Sequence, residues 1–163
     1  KKLNILELGS HEGRGIASFY YYFPNANFFG ANINPFQMRY KSKRINELYV
    51  DVSSKKILNN LKNYIKTDLD LIIDDASHNK RDQIITLDKF LPRLKKDGFY
   101  VIEDTCEYLK HPFLNDDKLD YGVNEFVQSI YETGNHHTTY LDEKEKKKRV
   151  KLSIKKKKNP FSS

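Results

Sequence analysis

One cysteine, Cys106, is the only thiol in this 163-residue chain. A single thiol excludes an internal disulfide and a zinc–cysteine cluster. No stretch approaches the roughly 18 to 20 apolar residues that a membrane span needs. No signal peptide is visible, because the sequence opens "KKLNILELG" and runs directly into a strand pattern. Internal repeats and domain linkers are also missing. What remains is a length and an apolar content of 38% that fit one domain around one core. A reducing cytoplasm is the expected location, with no membrane partner.

The formal net charge is +7, and a basic balance invites a nucleic-acid partner. Much of the excess, however, sits in "EKEKKKR" (143–149) and "KKKK" (155–158). A solvated lysine face accounts for those runs, so nucleic acid is disfavoured.

Apolar runs alternate with helical patterns along the chain. "LNILELG" (3–9), "NFFGANI" (27–33), "ELYVDV" (47–52), "LDLIIDD" (69–75) and "FYVIED" (99–104) read as strands. Their continuous apolar character is that of parallel strands covered on both faces. Between them, 15–23, 53–65 and 80–95 read as helices, with Ser53 or Ser54 as a cap. Asp97-Gly98 reads as a turn. A further helix over 123–131 places Val123, Phe126, Val127 and Ile130 on one face. In the tail, "TTYLDE" and "RVKLSIK" suggest an antiparallel hairpin. Strand–helix alternation of this kind implies an α/β doubly wound sheet, whose ligands gather at the carboxyl ends of the strands.

Every polar cluster falls at such an end. "ELGSHEGRG" (7–15) follows the first strand with glycines that permit a tight turn. A dinucleotide fold would hold phosphate there. The acids Glu7 and Glu12 disfavour a pyrophosphate and suit a cationic ligand. S-adenosylmethionine, with a sulfonium, an ammonium and no phosphate, fits that demand. Asn32 or Asn34 ends the second strand, where a ribose needs an acceptor. Asp51 ends the third, near the place of an adenine, although it also suits capping of the next helix.

"DLIIDDASHNK" (70–80) and "YVIEDT" (100–105) close strands four and five with four carboxylates and a histidine. Neighbouring strand ends lie about 5 Å apart. Asp75, Glu103 and Asp104 would then repel one another and raise each other's pKa. A hard divalent cation, Mg²⁺, Ca²⁺ or Mn²⁺, relieves that repulsion. On such a metal, a substrate with adjacent hydroxyls would lose a proton more easily. His78 is placed to take it. The plainer reading is capping by Asp74 and Asp75, a loop role for His78, and lysine partners for Glu103 and Asp104.

In order, "ILELGSHEGRG", "FPNANFFGANINP", "YVDVSS", "LIIDDASH" and "GFYVIEDT" resemble the motifs of class I S-adenosylmethionine methyltransferases. They are most similar to the metal-dependent sugar O-methyltransferases of macrolide biosynthesis (mycinamicin and macrocin type). Related rhamnosyl O-methyltransferase and cephalosporin-hydroxylase-like families share the pattern. The likeness covers about residues 3–105. It implies a Rossmann-like, mostly parallel seven-stranded sheet, whose sixth and seventh strands form the antiparallel C-terminal hairpin. A single domain over 1–163 is expected, without the N-terminal region that family members use for substrate cover and assembly. The resemblance further implies Mg²⁺ on Asp75, Glu103 and Asp104, His78 as base, and S-adenosylmethionine held by Glu7, Gly9, Asn32 and Asp51. Ser10 and Gly13 of the loop and Asp74 are assigned to the cofactor with them.

The expected partner is a small molecule or glycan bearing hydroxyls, and a homo-oligomer is compatible with the sequence. Two departures stand out: the family has aspartate where Asn32 stands, and Gly-Gly where this chain has Gly13-Arg14. A non-catalytic module on the same fold is the second reading. A nucleic-acid methyltransferase is the third, although "DDASH" is not the Asn/Asp-Pro-Pro-aromatic motif of enzymes acting on base nitrogens. His136, His137 and Tyr121 fall where substrate loops belong but read as surface residues. Nothing marks Cys106 as a nucleophile.

Overall fold

The structure, a computed structural model, describes residues 2–105, 107–114 and 122–133. Five strands run β1 (Leu3–Leu8), β2 (Ala26–Asn32), β3 (Ile45–Tyr49), β4 (Leu69–Asp74) and β5 (Leu94–Ile102). Helices α1 (Arg14–Tyr22), α2 (Lys55–Tyr64) and α3 (Lys80–Phe90) alternate with them, and α4 (Glu107–Lys110) and α5 (Val123–Thr133) follow. Strand order is β3-β2-β1-β4-β5, and every pairing is parallel. This is a Rossmann-like α/β sheet. The chain winds outward from β1 to β3, then returns to β4 on the other side of β1. The crevice between the carboxyl ends of β1 and β4 is therefore the topological switch point.

Alternate residues of β1 face opposite layers, as the period of a strand requires. Leu6 and Leu8 pack with Val50, Leu58, Leu61, Ile72, Ile85 and Phe90 beneath α2 and α3. Ile5 joins Ile16, Phe28 and Met38 beneath α1. Each of these large side chains contributes about 1.5–3 kcal/mol by leaving water. A third cluster joins Ile84 and Leu87 of α3 to Val123, Phe126 and Ile130 of α5. Val127, expected on that stripe, is exposed instead, one position outside the contact with α3.

Local signals set most boundaries. Ser54 caps α2 by accepting from the Ile57 N–H, and Asn79 caps α3 by accepting from Arg81 and Asp82. Helix α3 stops at Phe90 rather than near 95. Pro92 lacks an amide hydrogen to continue it, and Leu91–Arg93 form a 3₁₀ turn. Asp97-Gly98 is not a turn between elements, because both residues lie inside β5. Leu69 pairs with Leu94, but Leu71 pairs with Phe99, so Asp70 alone faces four residues of β5. Gly98 is tight against β4 there, where a Cβ would stand 2.9 Å from the Asp70 carbonyl oxygen. Lys95 Nζ meets Asp70 Oδ2 across the bulge at 2.7 Å.

The five strands do not include the expected tail hairpin, because 138–143 and 149–155 lie outside the described residues. Cys106, Tyr121, His136, His137 and both lysine runs lie outside them too. Among the described residues, no helix is long and apolar enough to cross a membrane.

Candidate functional site

The loop after β1 turns through three residues of positive φ, Gly9, His11 (φ 43°) and Gly13. Gly9 has φ +85°, and its N–H donates to the Ala31 carbonyl at 2.8 Å. A Cβ at Gly9 would collide with the Asp75 carbonyl, so β1 and β4 approach as closely as only glycine allows. Gly13, at φ +82°, is the N-cap of α1 and lies against Met38. Between them, Glu12 accepts from Arg14 at 2.9 Å and also pairs with Arg39. Arg14 thereby points outward, 79% exposed.

A cavity of 640 Å³ opens at the switch point. Its walls include Gly9 and His11 from the first loop, Asn32 and Ile33 after β2, Val50 to Ser53 after β3, and Asp75, Ala76, Ser77 and Asp82. Size and composition, apolar walls with a few aimed polar groups, are those of a small-molecule site. Asn32 is buried, and its Nδ2 donates to the Asn34 carbonyl at 3.1 Å and to Gln37 Oε1 at 3.0 Å. The Asn34 carbonyl can only accept, which decides the amide orientation. Both amide hydrogens are committed, so Asn32 can offer the cavity only its Oδ1 acceptor. Asp51 lines the same space and braces Ser53 through the N–H at 3.0 Å and Oγ at 2.6 Å. Ser54, not Asp51, caps α2.

One end of this cavity is shared with the acids, because Asp75 lines it. His78 Nε2 is 3.8 Å from Asp75 Oδ1, and His78 Nδ1 is 3.9 Å from Asp104 Oδ2. One ligand atom from each of the three lies within 4.8 Å of the others. His78 (φ 55°) and Asp104 (φ 50°) are both left-handed, a region few non-glycine residues occupy. Such backbone concentrates at functional sites. Burial and the Asp104 charge raise the Asp75 pKa, against the opposing His78. Glu103 is also raised, by burial, Asp75 and Asp104.

The grouping differs from the expected one. Asp75 and Asp104 converge as anticipated, but His78 is the third member and Glu103 is not among the three. Glu103 nevertheless feels both acids, and its main chain is held tightly. Its N–H donates to the Asp74 carbonyl at 2.9 Å and its carbonyl accepts from Gln83 Nε2 at 2.8 Å.

Four assigned cofactor residues do not line the cavity. Gly13 shapes the loop. Ser10 is buried, with an Oγ that lacks a partner. Glu7 lies beneath Gly15, and burial, then Asp75 and Glu103, push its pKa from 4.5 up to about 7. Glu7 Oε2 has no hydrogen-bond partner. Asp74 is sealed between β4 and α3, accepts from Thr86 Oγ1, and is lifted by burial to about 7. Its inward direction follows from strand alternation: Asp74 faces the core, and Asp75 leaves the sheet. His11, Ser77 and Asp82 also line the cavity, and the sequence pattern does not single them out. His11 stands in the quoted glycine loop, and Ser77 and Asp82 flank the histidine motif. Only the fold turns them toward one cavity.

The residues present suit both groups that the sequence implies. Two carboxylates and an imidazole form a donor set for a divalent cation. The unpartnered buried Oε2 of Glu7, near the charges of Asp75 and Glu103, marks a place that lacks a donor or cation.

No family model and no curated protein matches the sequence. Solved structures do. MycE methyltransferase from the mycinamycin biosynthetic pathway, in complex with Mg, SAH and mycinamycin VI, superposes with a TM-score of 0.67 at 19% identity. That match covers 83% of this chain and 39% of MycE. A short-chain dehydrogenase family protein from Francisella tularensis matches at TM-score 0.53 and 14% identity, over 63% of this chain and 50% of its own. A putative caffeoyl-CoA O-methyltransferase from Staphylococcus aureus matches at 0.51 and 15%, over 71% and 57%. The chain thus has the Rossmann-like fold found in class I methyltransferases, and spans about two fifths of MycE's length.

Proposed function

We propose that this chain is an S-adenosylmethionine- and Mg²⁺-dependent O-methyltransferase domain acting on a hydroxyl of a sugar or glycosylated small molecule. The observation that carries the reading is the sharing of Asp75 between the 640 Å³ cavity and the Asp75–His78–Asp104 group. A ligand in the cavity and a cation on the acids would then be immediate neighbours. MycE, the neighbour crystallised with Mg, SAH and mycinamycin VI, is consistent with this pairing.

Each residue has a role in this reading. Asn32 Oδ1 accepts from a ribose hydroxyl, Ile33, Val50 and Val52 offer an apolar wall for adenine, and Asp51 accepts at its edge. Asp75 and Glu103 make the surroundings negative, which suits a sulfonium. Asp75 and Asp104 hold the metal, with Glu103 beside them. A bound dication supplies acidity to a chelated hydroxyl. His78 takes the hydroxyl proton at Nε2, the nitrogen turned toward Asp75. Holding acceptor and donor at one sheet edge supplies much of the acceleration.

The same geometry admits a variant of this reading in which His78 is a third metal ligand, since one atom each of Asp75, His78 and Asp104 lies within 4.8 Å of the others. The two roles separate in a single substitution, described below. The non-catalytic alternative has lost part of its motive, since Arg14 faces away and Asn32 keeps an acceptor. Calorimetric titration of the chain with SAH, with and without MgCl₂, tests the proposal. Heat of binding for SAH and separately for Mg²⁺ is expected; no SAH heat at high concentration would favour the non-catalytic module. A steeply salt-sensitive shift with DNA or RNA would instead revive a nucleic-acid substrate.

A further inference from the structure

We propose that Gln83 is the positioning residue of the acid cluster, clamping the Glu103–Asp104 turn so that Asp104 faces His78 and Asp75. The inference rests on the metal reading above and adds a residue to it. Gln83 sits on the first turn of α3 and is 1% exposed. Its Nε2 donates to the Glu103 carbonyl at 2.8 Å. The Glu103 N–H is tied to the Asp74 carbonyl on the opposite side. Both main-chain polar groups of Glu103 are therefore fixed, one to β4 and one to α3. The next residue, Asp104, turns at φ 50°, in the left-handed region that aspartate visits more readily than most residues, and the two fixed groups of Glu103 set where that turn begins.

Stability alone does not ask for glutamine at this place. Gln83 Oε1 is buried and has no hydrogen-bond partner, a condition that is unfavourable for an amide. Its neighbour Ile84 packs in the apolar cluster between α3 and α5. An apolar side chain of the same length would fill the space with no orphaned oxygen. The amide is thus explained by its one bond, and that bond goes to the turn that presents Asp104. Helix α3 holds Gln83 rigidly, because the Gln83 N–H donates to Asn79 at 3.0 Å and its carbonyl accepts from Thr86 Oγ1 at 3.0 Å.

The test uses Gln83→Met and Gln83→Leu in the whole chain. Mn²⁺ affinity is measured by water-proton relaxation, SAH affinity by calorimetry, and folding by thermal melting. A direct outer partner of a metal ligand is worth about ten-fold or more in metal affinity; Gln83 holds the residue before Asp104, so a loss of up to about ten-fold in Mn²⁺ affinity is the expected reading. That loss is expected while SAH affinity stays unchanged and the melting temperature holds or rises. Such a split is not what a merely structural residue produces. Wild-type Mn²⁺ affinity in both variants overturns the inference. So does a parallel loss of melting temperature, SAH affinity and Mn²⁺ affinity in both. If the wild-type chain binds SAH but no Mn²⁺, the metal reading fails and the inference with it.

Discussion

Glu7 is a carboxyl group kept where its acid form is preferred. It is 8% exposed. Burial first, then the charges of Asp75 and Glu103, lift its pKa from 4.5 to about 7, while the Ile16 N–H pulls it back. In the unfolded chain the group titrates near its ordinary value. Between those two values the folded state binds the proton and the unfolded state does not. Stability from this group is therefore full below about pH 4.5, falls as pH rises, and levels off above about 7. The displacement corresponds to about 3 kcal/mol.

Glu7→Gln removes the titration and keeps the shape. Relative to wild type, the variant should gain about 3 kcal/mol between acid and mildly alkaline pH. Urea unfolding of both proteins at a series of pH values, without divalent metal, gives the difference curve. Subtraction cancels groups that titrate alike in both. In wild type, added Mg²⁺ should shrink the fall, because a cation near Asp75 offsets the charges that raise Glu7. A difference that stays flat across pH would refute the burial of an uncompensated carboxylate at this position.

Other perturbations separate the remaining roles. His78→Ala should abolish turnover and leave SAH affinity nearly intact. If Mg²⁺ affinity survives or falls only by the roughly ten- to hundred-fold of an outer partner, His78 is the base; if Mg²⁺ binding is lost altogether, His78 is a ligand. Unchanged turnover would remove His78 from the chemistry. Asn32→Asp places a carboxylate oxygen against the Asn34 carbonyl with no proton between them. An unmade buried contact of that kind costs about 1–3 kcal/mol, so the variant should melt lower and bind SAH no more tightly. Tighter binding would show that charge outweighs orientation here. Gly9→Ala forces a left-handed alanine against the Asp75 carbonyl and should lose at least about 1–3 kcal/mol. A wild-type melting temperature would mean that the loop is looser than described.

The elements were largely legible in the chain. "LNILEL", "ANFFGAN" and "LDLIID" are apolar runs bounded by glycine, asparagine and aspartate, and each forms a strand within a residue or two of its expected limits. The sequence pattern points to a third strand at 47–52 rather than Ile45–Tyr49, because Val50 and Val52 are buried in the turn that follows it. The fifth is longer than its apolar run, Leu94–Ile102 against 99–104. Its first half is a bulge around a Lys95–Asp70 pair, and no local pattern encodes a partner 25 residues away.

Much the same division holds for the site. Sequence alone located the acids, the histidine and the glycine loop at strand ends, since strand periodicity and turn residues are local properties. It therefore determined the fold class and the edge where chemistry gathers. Which side chains meet was decided by the tertiary structure. Left-handed backbone at His78 and Asp104 swings those two together and leaves Glu103 beside them. Asp74 and Asp75 are adjacent in sequence, yet one is sealed in the core and the other lines the cavity. Gln83 reads as an ordinary helical polar residue until α3 packs it beneath the turn after β5. The reason is physical: periodicity specifies which face a residue occupies, whereas the direction of a side chain at a strand's end depends on backbone angles imposed by neighbours distant in the chain.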